Sequence, residues 1–418
     1  MRIISCLASS IPEIQTNDSI YISQYSRPQN EKNGYFGLGY PTEIARKGIS
    51  PSVETWDFAT FALSIAAIDK LMPRGGSADG WTRVLDVEIH LCNPTIWFDQ
   101  VPKLEGLLRF LTGDFWHLSF KAGGAQPPKP NHVVHYVADC ISLLSGGIDS
   151  LIGGIDLTRE NRIPIFVSHK VNGSVRAQFE YASKLNARGR FFQWSFEAKL
   201  DGYRENSTRG RSMVFFAFAA IAADAIMANR LEPVDIYIPE NGFISLNIAL
   251  SPARLGSYST KTTHPIYMQG MQELWNHLGL PFVLHFPYRF KTKGEMMQEC
   301  LDKILLVELL GSSVSCGKFI RNHKHCGVCI PCLVRRGAFL KNGWDDTTPG
   351  YKYDISTSNS DNMAVVTSAY SRMKSKGIRY VAGGALNFAE GHDKVEYEGV
   401  FLRGLTEVYE LLHKYRRI

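Results

Sequence analysis

The chain has no long apolar run. Nothing in its 418 residues approaches the ~20 consecutive apolar residues that a membrane-spanning helix needs. The longest such stretch, Met213 to Met227, is rich in alanine and carries Asp224, so it reads as a buried helix. The N-terminus has a short apolar start at Ile3-Ile4 and no signal-peptide core, which predicts a cytoplasmic protein with no membrane partner. Charge of one sign is scarce as well. The 46 Lys and Arg residues exceed the 40 Asp and Glu by 6. That excess suits a small anionic ligand and is too weak to indicate nucleic acid. The first 130 residues hold no basic run. There are no repeats, no low-complexity tract and no Gly-x-x-x-x-Gly-Lys-[Ser/Thr] phosphate loop.

What is present fills two or three domains of ordinary size, with 44% hydrophobic residues to build their cores. Residues 1–126 mix strand-like alternation (Val84 to Leu91) with a helical run, Val53 to Leu71, that starts after Ser52 and ends before Pro73. They read as an α+β domain with no catalytic signal. A Gly- and Pro-rich linker, Ala122 to Pro130, comes next. Residues 127–344 alternate strands and helices. Strands are predicted at Cys140–Leu144, Ile163–Ser168, Arg190–Phe196 and Val234–Pro239, with helices at Leu151–Thr158, Val175–Ala187 and Arg211–Asn229. That alternation predicts an α/β fold, a doubly wound parallel sheet with helices on both faces. Residues 345–418 read as a helical C-terminal extension, with helices at Asn362–Lys374 and Val400–Tyr415.

Ser145-Gly146-Gly147-Ile148-Asp149-Ser150 directly succeeds the first of these strands and opens a helix. Two glycines let the backbone turn sharply and approach a phosphate. The helix N-terminus offers free N–H groups to the anion, and Ser145 and Ser150 add hydroxyl donors. Asp149 repels phosphate unless a cation intervenes, and magnesium bridging the carboxylate to the phosphates meets that need. The alternative is a plain strand-to-helix turn. The loop is similar to that of N-type ATP pyrophosphatases (the adenine nucleotide alpha hydrolase-like fold), which cleave ATP to AMP and pyrophosphate while adenylating a substrate oxygen.

Of eight cysteines, Cys6, Cys92, Cys140 and Cys300 are scattered, whereas Cys316, Cys326, Cys329 and Cys332 form C-x9-C-x2-C-x2-C. Four thiolates with no open position favour structural zinc; an iron–sulfur cluster is the competing reading.

Together the two motifs resemble the 7-cyano-7-deazaguanine synthase (QueC) family, over residues 135–345. Cys332-Leu333-Val334-Arg335-Arg336 is similar to that family's arginine-followed knuckle, and Thr292-Lys293-Gly294-Glu295-Met296 to its Thr-Lys-x-Glu segment. The flanks have no counterpart in the biosynthetic enzyme. The extended form resembles the QueC-like proteins of Qat anti-phage defence systems. The resemblance implies an ATP-dependent carboxylate–amine ligase that adenylates a 7-carboxy-7-deazaguanine-type acid, with ammonia or an amine of a partner protein from the same operon as acceptor. It implies ATP, Mg2+ and Zn2+ as cofactors. Asp149, Ser150 and Lys293 are the catalytic candidates. Ser145, Gly146, Gly147, His169, Arg211 and Ser212 join Asp149 and Ser150 as ATP-binding candidates. Glu240, Asn241, Lys261 and His264 lie in polar loops at predicted C-terminal strand ends, where ligands bind open α/β sheets, and are candidates for the deazaguanine pocket. Each has a bland alternative: surface cation, helix cap or structural turn. Two other functions compete, tRNA modification by a pyrophosphatase relative and a nucleotide-holding assembly subunit of a defence complex.

Overall fold

The computed structural model describes the chain except residues 17, 172, 228–231, 251–260, 320–323 and 416–418. Two sheets carry the architecture. The first joins β1 (Arg2–Cys6), β2 (Ser19–Gln24), β3 (Gly34–Phe36), β4 (Val84–Leu91) and β5 (Phe115–Ala122) in the order β5-β4-β1-β2-β3, every neighbour parallel. The second joins β6 (Cys140–Leu143), β7 (Pro164–His169), β8 (Phe191–Trp194), β10 (Val234–Tyr237) and β11 (Phe282–His285) in the order β11-β10-β6-β7-β8, again all parallel. The intervening β9 (Ala198–Lys199) leaves the second unit and pairs antiparallel with β3.

The second sheet has the doubly wound character expected of it, within a mixed α/β fold. One face, with Ile141, Ile165, Val167 and Phe192, packs on the Arg211–Met227 helix side. The other, with Leu144 and Phe166, packs on the Ile148–Arg159 helix side. The helix predicted to reach Asn229 is described to Met227; residues 228 and 229, like Ser259 and Thr260 of the polar loop before His264, lie outside the described residues.

The first 126 residues differ from the α+β expectation, since their sheet is parallel. The reason the sequence misleads is physical. Parallel sheets are usually covered on both faces and read as continuous apolar runs. Here Leu85, Val87, Ile89 and Leu91 of β4 are buried, whereas Val84 and Asp86 are exposed. Among the described residues, the β1–β2 and β2–β3 connections hold no helix beyond a 3-10 turn at Ala8–Ser10. One face is therefore left without helices, and the strands alternate like those of an antiparallel sheet.

The Val53–Leu71 helix starts as predicted, with the Ser52 hydroxyl accepting from the Thr55 N–H at 3.2 Å. It lies against the Arg211–Met227 helix. Both are apolar almost all round because they are enclosed between the two sheets, and packing is continuous across Gln126. The C-terminal extension is helical. Its Asp361–Lys376 helix matches the expectation within two residues, but the last helix runs Gly391–Lys414 and begins well before Val400. This helix packs on the Ile330–Asn342 helix at Gly337, where a Cβ would lie 2.9 Å from the Glu407 carbonyl oxygen. Among the described residues, no helix is long and apolar enough to cross a membrane.

Candidate active site

In the second sheet the strand order reverses between β6 and β10, and crevices form at such points outside the carboxyl ends of the strands. The loop after β6 and Glu240-Asn241 after β10 meet there. Gly146 turns the chain with φ +89, and its bare Cα faces Ser174 and Gln178, where a Cβ would be 3.1 Å from the Ser174 side chain. Gly147 precedes the Ile148–Arg159 helix. The Ser145 hydroxyl donates to Ser150 Oγ at 3.2 Å, and Ser150 Oγ donates to the Gly147 carbonyl at 3.0 Å. From outside, the Gln178 amide donates to the carbonyls of Ser145 and His169, both at 3.1 Å. The loop, Arg211, Glu240 and Lys293 line a cleft of about 320 Å³.

Lys293 stands at the first turn of the Lys293–Glu299 helix. Thr292 and Glu295 form a capping box there: the Thr292 hydroxyl accepts from the Glu295 N–H at 3.1 Å, and Glu295 accepts from the Thr292 N–H at 2.8 Å. The C-terminal helix braces this turn. Arg403 donates to Glu295 at 2.6 Å, and buried Glu407 accepts from the Thr292 hydroxyl and from Lys341.

The Lys293 ammonium is ion-paired with Asp149 Oδ1, both groups buried. Asn241 caps its own short helix through Ile244 and donates from its amide to Asp149 Oδ2 at 2.7 Å. The same amide also donates to Glu240 Oε1 at 3.4 Å, which sets the two carboxyl groups side by side. Burial alone would raise Asp149, but the Lys293 charge and these hydrogen bonds hold it below the usual carboxylate range. Glu240 goes the other way. Burial first, then the Asp149 charge, push it well above its ordinary value. Lys293 and Asp149 offset each other, and among the described residues Arg211 is the cleft's cation without an ion-pair partner.

The other sequence candidates lie at varied distances from this cluster. His169 ends β7, packed edge-on against Phe215 and Phe218; its buried Nδ1 has no partner among the described residues, and burial, then Arg211 and Lys70, pull its pKa down to about 3. Ser212 faces the core and meets the Tyr267 hydroxyl at 3.5 Å, away from the cleft. Lys261 lies over the Phe110 ring at 4.0 Å. His264 caps the Pro265–His277 helix between Phe110 and Phe388, with its pKa pulled down to about 4, mainly by burial. Neither is brought to Asp149. Glu240 also lines a second cavity, of about 460 Å³, walled by Arg289, Phe286 and, from the C-terminal extension, Phe388, Asp393 and Tyr397.

One wall of the cleft was not anticipated from sequence. The segment Val314 to Phe319 covers the loop, with the Val314 N–H donating to the Gly146 carbonyl at 2.9 Å. Arg335, fully buried, ties this segment down through the Ser313 hydroxyl at 2.6 Å and the Leu310 carbonyl at 2.9 Å. Cys316 belongs to the same wall. The long x9 spacing before Cys326 was the available signal that the first cysteine sits on a separate segment. The four thiols converge, all sulfurs within 4.8 Å of one another, with Cys316–Cys329 and Cys326–Cys332 at 3.9 Å. A tetrahedron of thiolates at about 2.3 Å from zinc has edges of about 3.8 Å. The set can therefore hold a single metal ion such as zinc, and backbone N–H groups of Cys326 and Lys318 point at Cys316 Sγ at 3.3 Å. A polynuclear iron–sulfur cluster would hold its cysteines farther apart.

Fold and site together define a doubly wound α/β protein with a glycine–serine loop at the sheet's switch point and, on the rim, four converging cysteines able to hold a metal ion. No protein-family model matches the chain. Among curated proteins it is similar to the 7-cyano-7-deazaguanine synthase of Rhizorhabdus wittichii, with 24% identity over 233 residues that span 50% of this chain and 94% of that protein.

Proposed function

We propose that the chain is a QueC-like enzyme of the N-type ATP pyrophosphatase kind, which activates the carboxylate of a 7-carboxy-7-deazaguanine-type acid with ATP. The observation that carries this reading is the convergence at one switch point of the Ser145–Ser150 loop, the buried Lys293–Asp149–Asn241 cluster with half-buried Glu240 beside it, and Arg211. The distant similarity to a deazaguanine synthase supports the choice of acid.

A carboxylate is a poor electrophile. Its oxygen attacks the α-phosphorus of ATP, pyrophosphate leaves, and an acyl-AMP forms. An amine nitrogen then attacks the acyl carbon, the acyl–oxygen bond breaks, AMP departs and the amine loses a proton. The loop N–H groups and the Ser145 and Ser150 hydroxyls hold phosphate oxygens, and Arg211 and Lys293 offset the charge that develops on the departing pyrophosphate. Asp149 orients Lys293. Glu240 stands between the loop cleft and the neighbouring cavity, which is the candidate space for the acid. Magnesium accompanies ATP in this reading. Asp149 would hold it only by sharing an oxygen already bound to Lys293 or Asn241. The acceptor is ammonia or an amine of a partner protein, and the setting is an anti-phage defence system; the extended flanks, beyond what a small-molecule synthase needs, motivate the last two points.

The test is exchange of labelled pyrophosphate into ATP. Exchange that depends on 7-carboxy-7-deazaguanine supports the reading, and its absence with a protein that binds ATP refutes it. Intact-mass spectrometry of co-expressed proteins separates the acceptors: an added deazaguanine mass identifies a protein amine.

A further inference from the structure

The two sheets repeat one topology, although the sequence shows no repeat. Counted from one to five within each unit, both read 5-4-1-2-3 with every neighbour parallel. In both units the crossover from the third strand to the fourth carries a long apolar helix, Val53–Leu71 or Arg211–Met227. The next crossover carries a shorter one, Val101–Thr112 or Pro265–His277. Like packs on like: the two long helices touch each other, and the two shorter ones do the same.

The ends of the long helices are reciprocally tied. Asp69, near the end of the first, accepts hydrogen bonds from the N–H groups of Arg209 and Gly210, both at 2.6 Å, immediately before the second. Asp224, near the end of the second, accepts from the Ser52 N–H at 2.7 Å and the Ser52 hydroxyl at 3.1 Å, at the start of the first. In a twofold interface residue i meets j and j meets i. This pair of helices obeys that rule within one chain.

The equivalent crevice of the first unit, between β1 and β4, is filled by the chain itself. Gly124 donates to the Leu91 carbonyl at 3.1 Å and lies so close to it that a Cβ would meet Leu91 at 2.6 Å. The Gln24 amide accepts from the Ala125 N–H at 3.1 Å and donates to the carbonyls of Ser5 and His90 at 3.1 and 2.9 Å. Asp57 takes the N–H groups of Cys92 and Asn93 at the end of β4, both at 2.7 Å. The N–H groups of Ala125, Cys92 and Asn93 at this edge are thereby taken.

We propose that the N-terminal unit is a ligand-free counterpart of the loop-bearing unit, docked where a twofold-related subunit would sit, and that its Asp69 positions Arg211 in the cleft. Asp69 fixes the two residues before Arg211 and is itself locked by Arg83 at 2.5 Å. The part concerning Arg211 rests on the ATP reading above.

The test uses the full chain, a non-hydrolysable imido analogue of ATP with magnesium, and hydrogen exchange. Calorimetry is expected to give one analogue per chain; two would overturn the proposal. Asp69→Asn is expected to speed exchange at residues 209–213 and weaken analogue binding about fivefold. Asp224→Ala is expected to speed exchange at residues 52–55 and leave binding within about twofold. Asp69→Glu keeps a charge for Arg83 while displacing the carboxylate, so it gives the Asp69→Asn pattern even if that variant fails to fold. Unchanged exchange at 209–213 in both Asp69 variants overturns the proposal. Failure of the ATP reading is distinguishable, because wild-type protein then binds no analogue while the reciprocal exchange pattern persists.

Discussion

The first and second sheets share a strand order and differ in the segment that leaves the central strand. After β6 the chain turns at Gly146 and enters a 12-residue helix whose N-terminus is open to a cleft lined by Arg211 and Lys293. After β1 it makes a single 3-10 turn, and the linker at Gly124-Ala125 fills the crevice. Topology supplies a crevice in each case, and loop chemistry decides whether it is available. The same contrast extends to charge. The second unit collects Arg211, Lys293, Asp149 and Glu240 around its crevice, whereas the first ties Arg74, Arg83, Asp69 and Asp114 into a buried network facing the start of the Arg211–Met227 helix.

Substitutions at matched positions break or sharpen this comparison. The largest effect is expected at Lys293. Lys293→Met removes the cation and leaves Asp149 buried beside Glu240, and acid-dependent pyrophosphate exchange should fall by at least about 10²-fold. Asn93→Ala, at the matching edge of the first sheet, should change it less than about twofold; equal losses in the two variants would erase the distinction. Next is Cys332→Ser, which removes one of four converging thiols. Metal measured by elemental analysis should drop to a small fraction of an equivalent, and unfolding stability should fall by more than about 4 kcal/mol. Hydrogen exchange should rise at Val314–Cys316, the wall over the loop.

Gln24→Ala comes third. It leaves the Ser5 and His90 carbonyls and the Ala125 N–H without their partner, at a cost of about 2–4 kcal/mol in denaturant unfolding. Affinity for the ATP analogue should not change. The smallest effect is expected at Asp224, whose carboxyl is pushed up to about 6 by burial, above its unfolded value of about 3.9. A raised carboxyl favours the folded state while protonated, so its contribution is full below the unfolded value and is lost as pH rises through about 6. Asp224→Asn keeps an acceptor for Ser52 without the charge. Its stability should therefore be at or slightly above wild type at pH 7.5, with a flatter profile between pH 4 and 6 in thermal melts.

Sequence revealed these parts unevenly. The Ser145–Ser150 loop and the four cysteines are legible because their chemistry is written in local spacing, and the strand–helix alternation that places the loop at a sheet edge is equally local. The Lys293–Asp149 pair is not legible as a pair, since it closes over a separation of 144 positions through two separate strand ends. The N-terminal sheet was disguised by its uncovered face, which imposes an alternating pattern on parallel strands. Ser212, Lys261 and His264 show a different limit. A polar residue near a loop or helix start is recognisable, but its direction is set by tertiary packing: Ser212 turns into the core and His264 becomes a helix cap. The reciprocal Asp69 and Asp224 contacts have no local signature at all.

The most direct test of the account is exchange of labelled pyrophosphate into ATP by the purified 418-residue chain, with and without 7-carboxy-7-deazaguanine. The account predicts exchange only when the acid is present, and loss of that exchange in Lys293→Met. A protein that binds ATP in the cleft yet shows no acid-dependent exchange would contradict it.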